Sequence, residues 1–151
     1  MKKSNIHLSG KRRKINPNWF TSKVYMKDVS SAIGTKENIY HVYFENGAKT
    51  KLHMHNGNQM LIVTRGRGEL VMFQKYGTAK THFAIRPTSR ISLTEGDVVY
   101  IPKNTLHTHG SADKRRTFSH IAINLISPGT SEYKTTWYES DFRRLAGTIV
   151  K

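Results

Sequence analysis

Four of the eight histidines in this 151-residue chain stand in two His-x-His pairs, and these are the residues whose type and spacing carry chemistry. His53 and His55 fall in a strand-like run, 52–55. Residues i and i+2 of a strand project from one face, so the two imidazoles lie close enough to share one ion. Gln59 follows four positions later, beyond Asn56-Gly57-Asn58, where the next antiparallel strand can return its side chain to that face. His107 lies on a later strand after Pro102, and His109 repeats the i, i+2 arrangement. Four such donors with open positions left over suit one divalent first-row transition metal. The chain contains no cysteine, which excludes a disulfide scaffold, a thiolate zinc site, an iron–sulfur cluster and a cysteine nucleophile. A neutral Gln among three imidazoles leaves a divalent ion at about +2, where Glu would lower it to about +1. Such an ion is the stronger Lewis acid, suited to polarising a carbonyl, and is held less tightly.

Strands with a period of two must position these groups. The run 39–45 is rich in β-branched and aromatic residues and leads into Asn46-Gly47, a strong hairpin signal. Further strand-like runs occupy 52–55, 59–64, 69–73, 81–85, 97–101 and 117–125. Arg65-Gly66-Arg67-Gly68, Tyr76-Gly77, Glu95-Gly96 and Pro128-Gly129 supply turn chemistry between and after them. Many short strands at regular spacing predict an all-β sandwich or barrel. The C-terminal end alone reads as a short helix, with Ser140 as N-cap, Asp141 in the first turn, Arg143 and Arg144 later and Gly147 beyond.

At these residues the chain resembles the cupin family. Gly47, His53, His55, Gln59 and Gly66 match the spacing of its first motif, Gly-x5-His-x-His-x3,4-Glu-x6-Gly, with Gln in place of Glu. Gly96, Pro102 and His107 meet the second, Gly-x5-Pro-x-Gly-x2-His-x3-Asn, while Asn104 replaces the second Gly and Ser111 the last Asn. The resemblance implies a single-domain jelly-roll barrel over 17–151, with its core in 19–138 and a metal in its mouth bound by His53, His55, Gln59 and His107. Trp19-Phe-Thr, Phe44-Glu-x-Gly-Ala, Gln59-x-Leu-Ile-Val-Thr64, His107-x-His-Gly110 and Ser119-His-x-Ala-Ile123 look like the small bacterial cupins that include manganese-dependent hydroxynitrile lyases. Those proteins also carry Gln as fourth ligand. Manganese is therefore the metal favoured, with iron, nickel, copper and zinc as alternatives.

Parity extends the site. If His107 points inward, so does His109. On the late strand His120, Ala122 and Asn124 share a face that the resemblance places inside the barrel. A neutral imidazole beside a substrate exchanges protons near neutral pH, which makes His109 and His120 the candidate catalytic acid–base groups, with the core histidine hydrogen-bonded for structure as the alternative. Asn124 is expected to orient substrate or one of these rings. Tyr40, Val42, Phe44 and Thr50 complete a largely apolar substrate pocket. His41 has the opposite parity and is expected to face outward or into a subunit interface.

The 25 Lys plus Arg oppose 10 Asp plus Glu, a formal net charge of +15. Eight of these bases, from Lys2 to Lys27, precede the first acid, Asp28. Residues 1–16 therefore read as a flexible basic arm, able to engage nucleic acid or another polyanion, or serving only as a solubilising tail. His82 falls in an acid-free stretch, 74–92, expected to form a basic hairpin. No apolar run is long enough to span a membrane and no signal-peptide stretch is visible, so a cytoplasmic protein is expected. It should be a homo-oligomer, a dimer or tetramer, that takes a small-molecule substrate. The leading expectation is a metal-dependent enzyme acting on a small oxygen-bearing molecule, in its sharpest form a hydroxynitrile lyase. An O2-using dioxygenase is the second enzymatic reading, and a ligand- or metal-binding protein whose arm holds nucleic acid is the non-enzymatic one.

Overall fold

Alternation of apolar and polar residues builds two facing layers of antiparallel strand from this sequence. A computed structural model describes residues 1–149. In chain order the elements are β1 (Lys11–Arg13), a turn of 3-10 helix (Pro17–Trp19), β2 (Val24–Asp28), a single helical turn α1 (Ser30–Ile33), β3 (Asn38–Phe44), β4 (Leu52–His55), β5 (Asn58–Arg65) and β6 (Arg67–Tyr76). They continue with β7 (His82–Thr94), β8 (Val98–Ile101), β9 (Leu106–Ser111), β10 (Phe118–Leu125), β11 (Thr135–Ser140) and β12 (Leu145–Thr148). One sheet runs β1-β2-β3-β10-β5-β8, and the other six strands close on themselves in the order β11-β12-β7-β6-β9-β4.

Parity divides the interior. On β4, Leu52 joins Val71, Phe73, Phe83, Leu106 and Tyr138 in the core of the closed ring. Its neighbours His53 and His55 point the other way, toward the open sheet. There the second core gathers Val42, Phe44, Leu61, Leu70, Ile101 and Phe118, of which Phe44, Leu61 and Phe118 are wholly buried. The site lies at the edge of this second core.

Asn46 and Gly47 take the positive φ values, 26° and 82°, that an Asn-Gly turn requires. The turn is present, but β3 and β4 are not a hairpin: β3 pairs with β2 and β10, and β4 with β9 and β11. The chain uses the turn to cross between layers. Asn56-Gly57 makes a second crossing, so β5 lies in the opposite sheet and presents Gln59 to the histidines across the interior. Gly57 is required at this point, since a Cβ there would sit 2.3 Å from the Leu125 carbonyl oxygen. Pro87 does not end β7, because a register shift opposite Met72 and Phe73 leaves Thr88 as an extra residue beside it. The acid-free stretch accordingly becomes the long β6–β7 hairpin.

Two expectations are corrected. The C-terminal end is a β-hairpin, β11–β12, and not a helix. Asp141 does cap backbone N–H groups: its carboxylate accepts from Arg143, Arg144 and Leu145 at 2.9, 2.7 and 3.0 Å. Those donors hold its pKa down at about 2. An Asx cap serves a hairpin turn as well as a helix, and four residues before the Leu145 strand leave no length for a helix. The basic arm is likewise not free chain. Residues 11–13 pair with β2 in register Lys11↔Asp28, Arg12↔Lys27 and Arg13↔Met26, covering what would be an open sheet edge. Arg12 stacks on Tyr25 at 4.5 Å and Arg13 on Tyr40 at 4.8 Å. His41 does face away from the barrel interior, yet it is 1% exposed. The His7 ring lies 6.0 Å from it, and it bonds Thr64 at 3.0 Å and Tyr43 at 2.9 Å.

Candidate metal centre

The histidines meet because their strands do. His53 and His107 are directly opposed partners of β4 and β9, with ring centroids 4.2 Å apart. His55 lies 4.9 Å from His53 and 5.4 Å from His107. One ring nitrogen from each of the three can be chosen so that all lie within 4.8 Å of one another.

Each ring's outer nitrogen is engaged. Nδ1 of His53 faces the Lys51 carbonyl, Nδ1 of His107 the Thr105 carbonyl and Nδ1 of His55 the Thr135 hydroxyl, each at 2.8 Å. A proton on Nδ1, donated outward, leaves the Nε2 lone pair for the interior, the arrangement found around metal-ligating histidines. Nε2 of His55 and of His107 is buried without a hydrogen-bond partner. Gln59 completes the set: its amide nitrogen donates to Asn124 Oδ1 at 2.8 Å, and its Oε1 is buried and unpartnered. Buried acceptor atoms left bare are costly, so converging bare acceptors signal an absent electrophile. The residues present therefore fit a divalent ion.

Burial keeps these rings neutral. Desolvation, followed by the neighbouring His107, lowers the His55 pKa to about 3, and desolvation lowers His107 to about 4. His53 is pushed well below the ordinary histidine value, first by burial and then by His107, His55 and His109. At neutral pH all three offer lone pairs without releasing a proton first.

Beside them, His120 Nε2 and His109 Nδ1 lie 3.0 Å apart, and His120 Nδ1 is buried without a partner. Burial lowers His120 to about 3 and puts His109 well below its usual range, with His120 its largest coulombic neighbour. Two neutral imidazoles at this separation share one proton between facing nitrogens.

A cavity of about 520 Å³ opens onto this cluster, lined in part by His53, His55, Gln59, His109 and His120. Tyr40, Val42, Phe44 and Asn124 also line it, as their parity predicts, and so does Thr50. Two have defined internal partners. Thr50 Oγ1 accepts from the His109 N–H at 3.0 Å, and Asn124 holds Gln59 and not a histidine ring. Sequence reasoning missed the wall contributed by β11. Trp137 and Thr135 are register partners of His53 and His55, and Trp137 stacks on His53 at 4.4 Å. Tyr133 lies against His55 at 4.9 Å. The β-branched and aromatic run Thr135-Thr136-Trp137-Tyr138 is the signal that would have found this strand. Met26 and Arg13 were missed as well, since nothing local ties β1 and β2 to the cavity they line, and so was Asn38, which shares the inward parity of Tyr40 and Val42 on β3.

An antiparallel barrel with three convergent neutral imidazoles and an amide oxygen beside a cavity is an arrangement that could hold a divalent metal. The family model for cupins matches residues 34–147. This chain belongs to the cupin family. Among solved structures, a cupin-like protein from Thermotoga maritima is 31% identical, over 89% of this chain and 88% of that one, with a TM-score of 0.61. A sugar phosphate isomerase of the cupin superfamily from Silicibacter pomeroyi shares the fold at 20% identity, over 78% of this chain and 66% of that one, with a TM-score of 0.56. A predicted oxalate decarboxylase from Thermotoga maritima does so at 15% identity, over 78% and 94%, again with a TM-score of 0.56. No curated protein matches the chain.

Proposed function

We propose that this cupin is a metal-dependent enzyme acting on a small oxygen-bearing molecule, with His53, His55, Gln59 and His107 as the ligand set. The observation that carries the reading is the convergence of unpartnered acceptors, Nε2 of His55 and His107 and Oε1 of Gln59, beside a cavity of small-molecule size. A divalent ion, with manganese favoured, supplies Lewis acidity toward a hydroxyl or carbonyl oxygen of the substrate. The chain's own contribution is proton movement and exclusion of water. His109 takes the substrate proton, and the 3.0 Å contact between its Nδ1 and His120 Nε2 lets the pair redistribute charge as it does so. Phe44 packs against both rings, at 5.8 and 5.3 Å, and keeps them dry. Thr50 holds the His109 backbone in place. The sharpest form of the reading is a hydroxynitrile lyase reaction, in which the hydroxyl proton of a cyanohydrin passes to this pair as the carbon–carbon bond to cyanide breaks.

Metal analysis of purified protein tests the reading. Wild type is expected to carry or take up one divalent ion per chain, and His53→Ala to lose it. A wild-type protein that takes up none overturns the proposal. Turnover of mandelonitrile by fully metallated protein tests the lyase form, and inactivity there removes that form.

A further inference from the structure

Register carries the site further than the histidines. Arg13 of β1 pairs with Met26, Met26 with Val42, and Val42 with His120. Directly opposed residues of an antiparallel sheet project from the same face. The four therefore form one row across the inner face of the open sheet, and all four line the cavity. Three strand spacings separate the ends of the row, so Arg13 and His120 stand about 14 Å apart at the backbone. An arginine side chain and a small molecule fill that distance.

The charges in the cavity single Arg13 out. Its other charged lining residues, Glu132 and Lys134, pair with each other at 3.3 Å. Among the described residues, no ion pair is made by Arg13. The acid nearest in register, Asp28, makes no ion pair with Arg13, and its Oδ1 accepts from Ser30 Oγ at 2.6 Å and from the Ser31 N–H at 3.3 Å. The exposed Arg13 side chain instead sets its guanidinium over the Tyr40 ring at 4.8 Å and hydrogen-bonds the Tyr40 side chain, which leaves the remaining N–H donors of the fork at the cavity rim for a partner. The apolar part of the lining comprises Trp19, Phe20, Met26, Val42, Phe44 and Trp137.

We propose that Arg13 determines substrate class by binding the carboxylate of a small, otherwise apolar carboxylic acid whose far end reaches the imidazole cluster. A guanidinium without an ion-pair partner matches a planar monoanion in charge and in the geometry of its fork. The inference rests on the cavity being the substrate site, and it adds a carboxylate to the oxygen-bearing substrate proposed above. It also gives the basic N-terminal segment a role in the site itself.

The test is binding of benzoate, phenylacetate and mandelate, each against its uncharged amide, by calorimetry. Wild type, Arg13→Gln and Arg13→Lys are compared, metal-loaded and metal-stripped. At least one carboxylate is expected to bind wild type about tenfold or more tighter than its amide, with or without metal. Arg13→Gln should abolish the preference and Arg13→Lys restore part of it. The proposal is overturned if no carboxylate outbinds its amide on wild type, if the preference needs the metal, or if it survives in Arg13→Gln. Metal uptake without carboxylate preference defeats this inference alone, whereas failure of metal uptake defeats the metal-centre reading.

Discussion

Acid should unfold the metal-free protein over a window set by its buried imidazoles. His55 and His120 are lowered to about 3 and His107 to about 4, while His53 and His109 are shifted in the same direction. Unfolded, each titrates near 6.5. Above that value both states are neutral and stability is independent of pH. Below it the unfolded chain binds protons that the folded chain refuses, so stability falls as pH falls until the folded values are reached. Between about pH 7.5 and 5.5 each such imidazole costs about 1.4 kcal/mol. The three rings at about 3 to 4 together remove about 4 kcal/mol, against a typical domain stability of about 5–15 kcal/mol, and His53 and His109 act in the same direction. At an m of about 2 kcal/mol/M, the urea midpoint should drop by roughly 2 M or more. Unfolding of chelator-treated protein is readable in the fluorescence of Trp19 and Trp137, whose rings stack at 5.1 Å. A midpoint that stays constant from about pH 7.5 to 5.5 would refute the claim that these rings are buried and neutral.

Three further perturbations probe the frame of the site. Asn124→Leu removes the acceptor that holds the Gln59 amide, and metal affinity should weaken about 10- to 100-fold in a competition titration while the fold persists. Thr135→Val strips the partner from His55 Nδ1 and should weaken metal binding in the same sense, leaving the Trp fluorescence maximum unchanged. Gly57→Ala drives a Cβ into the Leu125 carbonyl and the Tyr133 ring, and a loss of about 2 kcal/mol or more in urea unfolding is expected; wild-type stability would show that this crossing can relax.

The neighbourhood of the histidines explains why part of the site was legible in sequence. His53 and His55, His107 and His109, and His120 and Asn124 are i, i+2 or i, i+4 pairs, and strand parity alone places each pair on one face. Gln59 lines the same cavity as His53 and His55, but by another route from the one expected. No hairpin returns it; the chain crosses to the other layer and faces it from there. The Ser140–Asp141 signal was chemically sound and structurally ambiguous, since an Asx cap satisfies the same N–H groups in a helix and in a tight hairpin. Bases concentrated before Asp28 suggested an independent arm, because composition does not say which strand edge a segment will cover.

By itself, then, the sequence determined the strand periodicity, the donor side chains of the histidine cluster and the absence of thiols. Those are local properties, set by residue chemistry and a two-residue repeat. Tertiary structure alone decided that Trp137 and Thr135 back His53 and His55, that Asn124 holds Gln59, and that Arg13 reaches the same cavity through a row of four strands. These contacts depend on which strands pair and in what register. That choice is made by burying two cores at once, and no single stretch of the chain encodes it.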